Sequence, residues 1–355
     1  MKTLDRYLVS AILQSTALVM LVLLGLGAFV NFAGQVDNVG EGSYTIFDAL
    51  IYVALILPQQ AYEMLPMATL LGALLGLGTL ASNSELTVLR ASGVSMWRLA
   101  RAIAIGGLAL TLITAALGEF IAPPSEQYAK RFRAEQLNRD IGLSGGQGGW
   151  IKDGNVIVNV GPALSGSEEG GVRFYRFDDD GRIVSVGRAA TAEVSSNQNW
   201  LLSDFGESVF SAAGVATRNE ALATQRSLLS SEVLQLSVVD PDQLSGRRLA
   251  RYVDYLKRNG LNSERYEIAR WSRVASVLTV FLMSLLALPF VFGSMRSSGA
   301  GTRLVIGVLI GVGYYLLSQT LGSSGTVYGI NPVLTAFLPT LILSVLIVWL
   351  MARAQ

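Results

Sequence analysis

Cysteine and histidine are both absent from this 355-residue chain. Without thiol or imidazole there are no disulfides, no Cys-His dyad, no Ser-His-Asp triad and no zinc site of the usual ligand set. The sequence also lacks a G-x-x-x-x-G-K-[ST] loop, so the chain does not cradle and hydrolyse ATP in the P-loop manner. Hydrolase chemistry, a resident metal and a bound cofactor are therefore not expected, and energy for any work comes from elsewhere. Charge is sparse as well, at 15% of residues with a formal net charge of +1, and no nucleic-acid partner is expected.

What the chain has instead is apolar sequence. Hydrophobic residues make up 51% of it and fall in blocks, the mark of an integral membrane protein. A helix needs roughly 20 mainly apolar residues to cross the ~30 Å hydrocarbon core. Six runs qualify, at 10–31, 49–80, 99–121, 274–292, 304–321 and 332–350. The second is long and interrupted by Pro58, Gln59, Gln60, Glu63 and Pro66, so it reads as one kinked helix or as two short spans. Charge placement favours one. With a single span there, Lys2 and Arg6, then Arg90, Arg98 and Arg101, then Arg296 and Arg303, then Arg353 all fall on one side. The opposite short loops, 34–47 and 322–331, carry no Lys or Arg. This positive-inside asymmetry predicts six spans with both termini cytoplasmic. Lys2 and Arg6 before an apolar run look like a signal peptide, but the run is long and lacks a small-x-small cleavage site, which predicts a retained first helix.

Between the third and fourth spans the composition changes, and most of the charged residues lie there. The predicted organisation is spans one to three in 1–123, a soluble domain with flanking helical stalks on the non-cytoplasmic side in 124–269, and spans four to six in 270–355. The centre of the insert alternates short β-type runs with turn signals. Strands are predicted at 150–151, 156–160, 172–177, 183–186, 190–194, 200–202 and 208–210, around turns at 152–155 and 178–181. The expected fold is all-β, of jellyroll or similar type. Ser245 is a candidate N-cap for a helix that puts Leu249, Tyr252, Val253 and Leu256 on one face and ends near Gly260.

Two glycine pairs, Gly72-x-x-x-Gly76 and Gly307-x-x-x-Gly311, suit close helix approach, within this chain or against another subunit. Between the second and third spans lies Ser84-Glu85-Leu86-Thr87-Val88-Leu89-Arg90-Ala91-Ser92-Gly93. Ser82, Asn83 or Ser84 can cap a short helix there, Glu85 sits near its positive end, and Leu86 and Leu89 are three apart on one face. Such a helix suits the groove of a soluble partner or the lipid headgroup layer; the residues alone leave both open.

Leu71-Gly72-Ala73-Leu74-Leu75-Gly76-Leu77-Gly78, the 84–93 segment, Gly118-Glu119-Phe120-Ile121-Ala122-Pro123 and Val327-Tyr328-Gly329-Ile330-Asn331-Pro332 together resemble the lipopolysaccharide export permeases of the LptF/LptG (YjgP/YjgQ) family, nearer the LptG branch. The resemblance runs end to end. It implies one permease half of an ABC exporter in the Gram-negative inner membrane, paired with the sister permease LptF and two copies of the ATPase LptB, which uses ATP and Mg. It implies delivery of lipopolysaccharide to the periplasmic β-jellyroll proteins LptC and LptA. Glu85, Leu86, Val88, Leu89, Arg90, Ser92 and Gly93 match the family's ATPase-coupling helix. Lys130 and Arg133 match family positions just past the third span, where with Arg131 they suit phosphate contacts to the substrate. Tyr315 and Gln319 match positions in the fifth span, which with the first borders the sister permease. In the outer first span this chain has Asn31, and then Asp37 and Asn38, where the close pattern carries Lys, so Asn31 is the polar group left there for substrate. Glu119 reads as structural, able to pair with Lys130 or Arg133.

Two other classes stand beside this. A membrane-anchored scaffold for envelope proteins would need no coupled ATPase. A secondary transporter would need buried ionisable groups at mid-membrane, and the spans have few.

Overall fold

The computed structural model describes residues 3–137, 149–160, 171–194, 199–211, 214–226, 241–292 and 299–353. The chain divides into two compact units. One comprises Met1–Val39, Thr45–Ala129 and Glu264–Gln355; the other comprises Gly40–Tyr44 and Lys130–Ser263.

The first unit is helical: α1 (Thr3–Val36), α2 (Ile46–Ser82), the short α3 (Glu85–Ala91), α4 (Met96–Ala116), a five-residue π turn (Leu117–Ile121), and the start of α5 (Ala122–Gln136). Its later helices are Glu264–Phe292, Ala300–Tyr328 and Pro332–Arg353, which follow α6 of the second unit (Gly246–Arg258) and are numbered α7, α8 and α9. Among the described residues six helical stretches are long and apolar enough to cross a bilayer, as the six apolar runs predict, so this is a multi-pass membrane protein.

The interrupted second run forms one helix of 37 residues with Pro58 and Pro66 inside it. At ~1.5 Å per residue it is about 55 Å long, more than one bilayer core. Its start is fixed by a capping box, in which Asp48 N–H donates to Thr45 Oγ1 at 3.3 Å and Thr45 N–H donates to Asp48 Oδ2 at 2.9 Å. The helix is central to its unit. Between helices in lipid there is little hydrophobic drive, so close contact relies on small residues and dispersion. A Cβ on Gly72 would overlap the Thr16 backbone of α1, and one on Gly76 would lie 2.8 Å from the Ala11 carbonyl oxygen. A Cβ on Gly307 of α8 would lie 2.6 Å from Leu71 Cδ2, and one on Gly311 would lie 2.8 Å from Met67 Cγ. Both glycine pairs thus seat neighbours on α2 within this chain. Gly72→Leu is expected to cost about 1–3 kcal/mol through overpacking. Gly25→Leu, on a surface where a Cβ meets nothing within 4 Å, should be near neutral. Thermal unfolding of the two variants in detergent checks the difference.

The third apolar run ends near 121, but the helix runs on through Pro123 and Pro124 to Gln136. Pro123 and Pro124 cannot donate to the carbonyls four residues back, which normally stops or kinks a helix. Here the preceding turn widens instead, with Ala122 N–H donating to Leu117 O. Arg273 of α7 donates to Gly118 O at 2.9 Å and lies 5.4 Å over the Tyr62 ring of α2. Tyr62 packs so closely that a Cβ on Gly118 would overlap it. The Gly-Glu-Phe segment is therefore a junction of three helices.

In the second unit the described strands are β1 (Gly149–Asp153), β2 (Val156–Val160), β3 (Val172–Phe177), β4 (Ile183–Ala189), β5 (Thr191–Val194), β6 (Asn199–Ser211) and β7 (Gly214–Arg226). All pair antiparallel in one sheet of order β1-β2-β3-β4-β6-β5, with β7 also on β6. Strands predicted separately at 200–202 and 208–210 are one long strand. β4 and β5 share a single register along β6, with Arg188 opposite Gly206 and Thr191 opposite Ser203. The break between them faces Asp204, whose φ of 49° interrupts the ladder. Phe174 and Phe205 meet edge to face at 6.0 Å above the sheet.

α6 forms as its periodicity predicts, with Ser245 Oγ accepting from Arg248 N–H at 3.4 Å and Leu249, Tyr252, Val253 and Leu256 buried. It is fastened to the β1–β2 turn. Lys152 Nζ donates to Asn259 O at 2.9 Å, Gly154 N–H to Asn259 Oδ1 at 2.9 Å, and Tyr255 OH to Lys152 O at 2.8 Å.

Candidate functional site

The chain reverses between α2 and α3 in two residues. Asn83 ends α2, its N–H reaching Thr79 O, and Ser84 takes a left-handed φ of 62°. That conformation costs a non-glycine residue roughly 1–2 kcal/mol, and Ser84 makes no side-chain cap bond to offset it. The predicted hydroxyl cap is thus replaced by a strained pivot. Gly93, at φ 86°, ends the segment, and Ser95 Oγ caps α4 by accepting from Arg98 N–H at 3.4 Å.

α3 has only seven residues and is too short to be stable alone. Its anchor is Leu86, 2% exposed within the core formed by the spans, with Leu89 and Val94 packed on that core. Leu86 is therefore seated in the bundle rather than offered as a knob, while Leu89 is half-buried beside it. Apolar side chains three apart beside a helical bundle take the nearest apolar core, which is their own. The outward surface is Thr87, Val88 (61% exposed), Arg90, Ala91, Ser92 and Gly93.

Glu85 lies between these faces. Tyr7 OH of α1 donates to its Oε2 at 2.7 Å, and Asn83 Nδ2 lies 3.5 Å from Oε1. Sequence reading gives no prominence to Tyr7; its only signal is its place at the head of the first apolar run. Arg303, read from sequence as a loop charge, is a second departure. It sits in the first turn of α8 and is 3% exposed, with Nη2 3.1 Å from Ser82 Oγ at the end of α2. Arg296 and Lys2 lie outside the described residues.

The other positions are spread over the two units. Lys130 and Arg131 are exposed and Arg133 is half-buried on α5. Helical spacing puts Lys130 and Arg133 on one side and turns Arg131 to another. In the first unit Asn31 folds back on its own helix, donating to Gly27 O at 3.0 Å. Tyr315 (61% exposed) and Gln319 lie one turn apart on an exposed surface of α8 with Leu316. The adjacent Tyr314 faces inward, its hydroxyl 2.6 Å from Thr279 Oγ1 and 3.3 Å from Thr340 Oγ1.

With this geometry in place, the family model for the lipopolysaccharide export system permease LptF/LptG matches residues 6–353. The chain belongs to that family. It is 37% identical over 352 residues to the lipopolysaccharide export system permease protein LptG of Escherichia coli strain K12, covering 99% of this chain and 98% of that one. The LptG protein of Haemophilus influenzae is 34% identical over 354 residues, with 99% of each chain covered. LptF of Escherichia coli K12 is more distant, at 24% over 340 residues, 93% of this chain and 89% of that one. The likeness is thus to LptG above LptF. These relatives are named as components of lipid export, and the six spans of this chain fit a membrane permease.

Proposed function

We propose that the chain is the LptG-type permease half of an ABC exporter that extracts lipopolysaccharide from the inner membrane. In this reading it pairs with LptF and with two copies of LptB, which bind and hydrolyse ATP with Mg; the chain itself is not catalytic. α3 is the coupling helix, on the cytoplasmic side, and the second unit is periplasmic, a β-jellyroll-like module that passes lipid toward LptC and LptA. The observation that carries the reading is α3 itself, a seven-residue helix held from below by Leu86 with an outward surface around Val88. A lever needs both a seat and a free face. Lys130 and Arg133 supply cations for lipid A phosphates, with Arg131, Asn31, Tyr315 and Gln319 as further contacts. At the sheet edge β7 leaves Leu222 79% exposed, which suits strand addition by a β-rich partner.

Gentle detergent purification of the tagged chain from a Gram-negative envelope tests this. Recovery of a sister permease, an ABC ATPase and lipopolysaccharide together is expected; envelope proteins without an ATPase would favour a scaffold. A pair of variants separates seat from face. Val88→Asp should lower ATPase recovery with thermal stability unchanged. Leu86→Ala should lower stability by about 2–5 kcal/mol, the cost of a cavity at a buried leucine.

A further inference from the structure

α1 and α8 are the least buried of the spanning helices, whereas most of α2 is enclosed. Each of the two meets α2 through close glycine contacts and apolar side chains, which guide sliding but carry no directional bond. At the α3 end, α8 has one directional link to α2 among the described residues, and it is an unusual one. Arg303 Nη2 donates to Ser82 Oγ at 3.1 Å, and Ser82 Oγ donates to Gly78 O at 2.9 Å. The Arg303 side chain lies against α2 where a Cβ on Gly78 would overlap it. Among the described residues Ser82 is its one hydrogen-bond partner, and its Nε has none.

A buried cation with an unpartnered donor is a poor way to build stability. A well-packed apolar side chain of similar volume is often neutral or better at such a site. What the arginine adds is direction: its Nη2 bonds the last residue of α2, two residues before the Ser84 pivot. We infer that Arg303 is a positioning residue that ties α8 to the end of α2, so that a displacement of α3 that moves this end of α2 is passed on to α8. Tyr7 makes the matching link from α1 to Glu85, so both of the exposed helices are tied to the residues flanking the pivot. The inference rests on α3 being the ATPase-coupling helix.

The test uses the whole complex of this chain, its sister permease and the ATPase, reconstituted in vesicles containing lipopolysaccharide. ATP hydrolysis and lipid released to a soluble acceptor are measured together, alongside the thermal unfolding midpoint. Arg303→Met is expected to keep the complex, its ATPase rate and its stability, yet to release roughly tenfold less lipid per ATP, the scale of one lost charge-assisted hydrogen bond. Ser82→Ala should show the same defect in milder form and serves if Arg303→Met does not assemble. Arg303→Lys, which keeps a donor, should restore part of the yield. An unchanged lipid-to-ATP ratio in Arg303→Met and Ser82→Ala overturns the inference while leaving the exporter reading intact. A fall in stability with that ratio unchanged assigns Arg303 to packing and also overturns it. Failure of the unmodified chain to bind the ATPase removes the exporter reading, and the inference with it.

Discussion

Glu85→Arg is expected to abolish lipid export and to cut ATPase recovery by at least about tenfold, with membrane insertion intact. Three effects act in one direction. The substitution removes the acceptor of the Tyr7 hydroxyl, places a cation at the positive end of α3, and adds it to a surface that already exposes Arg6 and Arg90. Reversing a charge in a docking surface costs several kcal/mol when it meets like charge. Glu85→Gln separates the causes, because it keeps an acceptor for Tyr7 and loses only the charge. Normal export in Glu85→Arg, measured as lipopolysaccharide reaching the outer membrane, would refute the coupling role.

Reversing Lys130 and Arg133 together should lower the lipopolysaccharide that purifies with the chain by roughly thirty- to several-hundredfold, at about 1–2 kcal/mol for each phosphate contact. Arg131→Glu should do less, since helical spacing turns it away from the other two. The wild-type contacts should also weaken with salt, because the screening length falls from about 10 Å at 0.1 M to 3 Å at 1 M. Lipid-to-protein ratio across a salt series checks both statements. Equal lipid in the double variant and the wild type would remove these residues from the substrate path.

The spans were legible because a bilayer demands length and apolarity, and both are written directly in the sequence. Charge asymmetry even chose one second helix over two, through Pro58 and Pro66. The passage through Pro123 and Pro124 was not legible. Adjacent prolines ordinarily mark a helix end, and only the wide turn at Leu117–Ile121, braced by Arg273 and Tyr62, lets the helix continue. β7 escaped for the opposite reason. Glu220-Ala221-Leu222-Ala223 are good helix formers without period-two alternation, and their strand state comes from the long pairing with β6. At the α3 site, sequence located the segment and left its orientation unsettled. Leu86 and Leu89 share a face by spacing, but which surface that face meets depends on the surrounding helices. Tyr7 and Arg303 were hidden because their partners, Glu85 and Ser82, lie 78 and 221 residues away.

The most direct test of the central claim is ATP-driven release of lipopolysaccharide from vesicles carrying this chain with its sister permease and ATPase. Release to a soluble β-jellyroll acceptor that requires ATP, and stops when α3 is disabled by Glu85→Arg, is the expected result. ATP hydrolysis that proceeds with no lipid released, or release that is indifferent to α3, would contradict it.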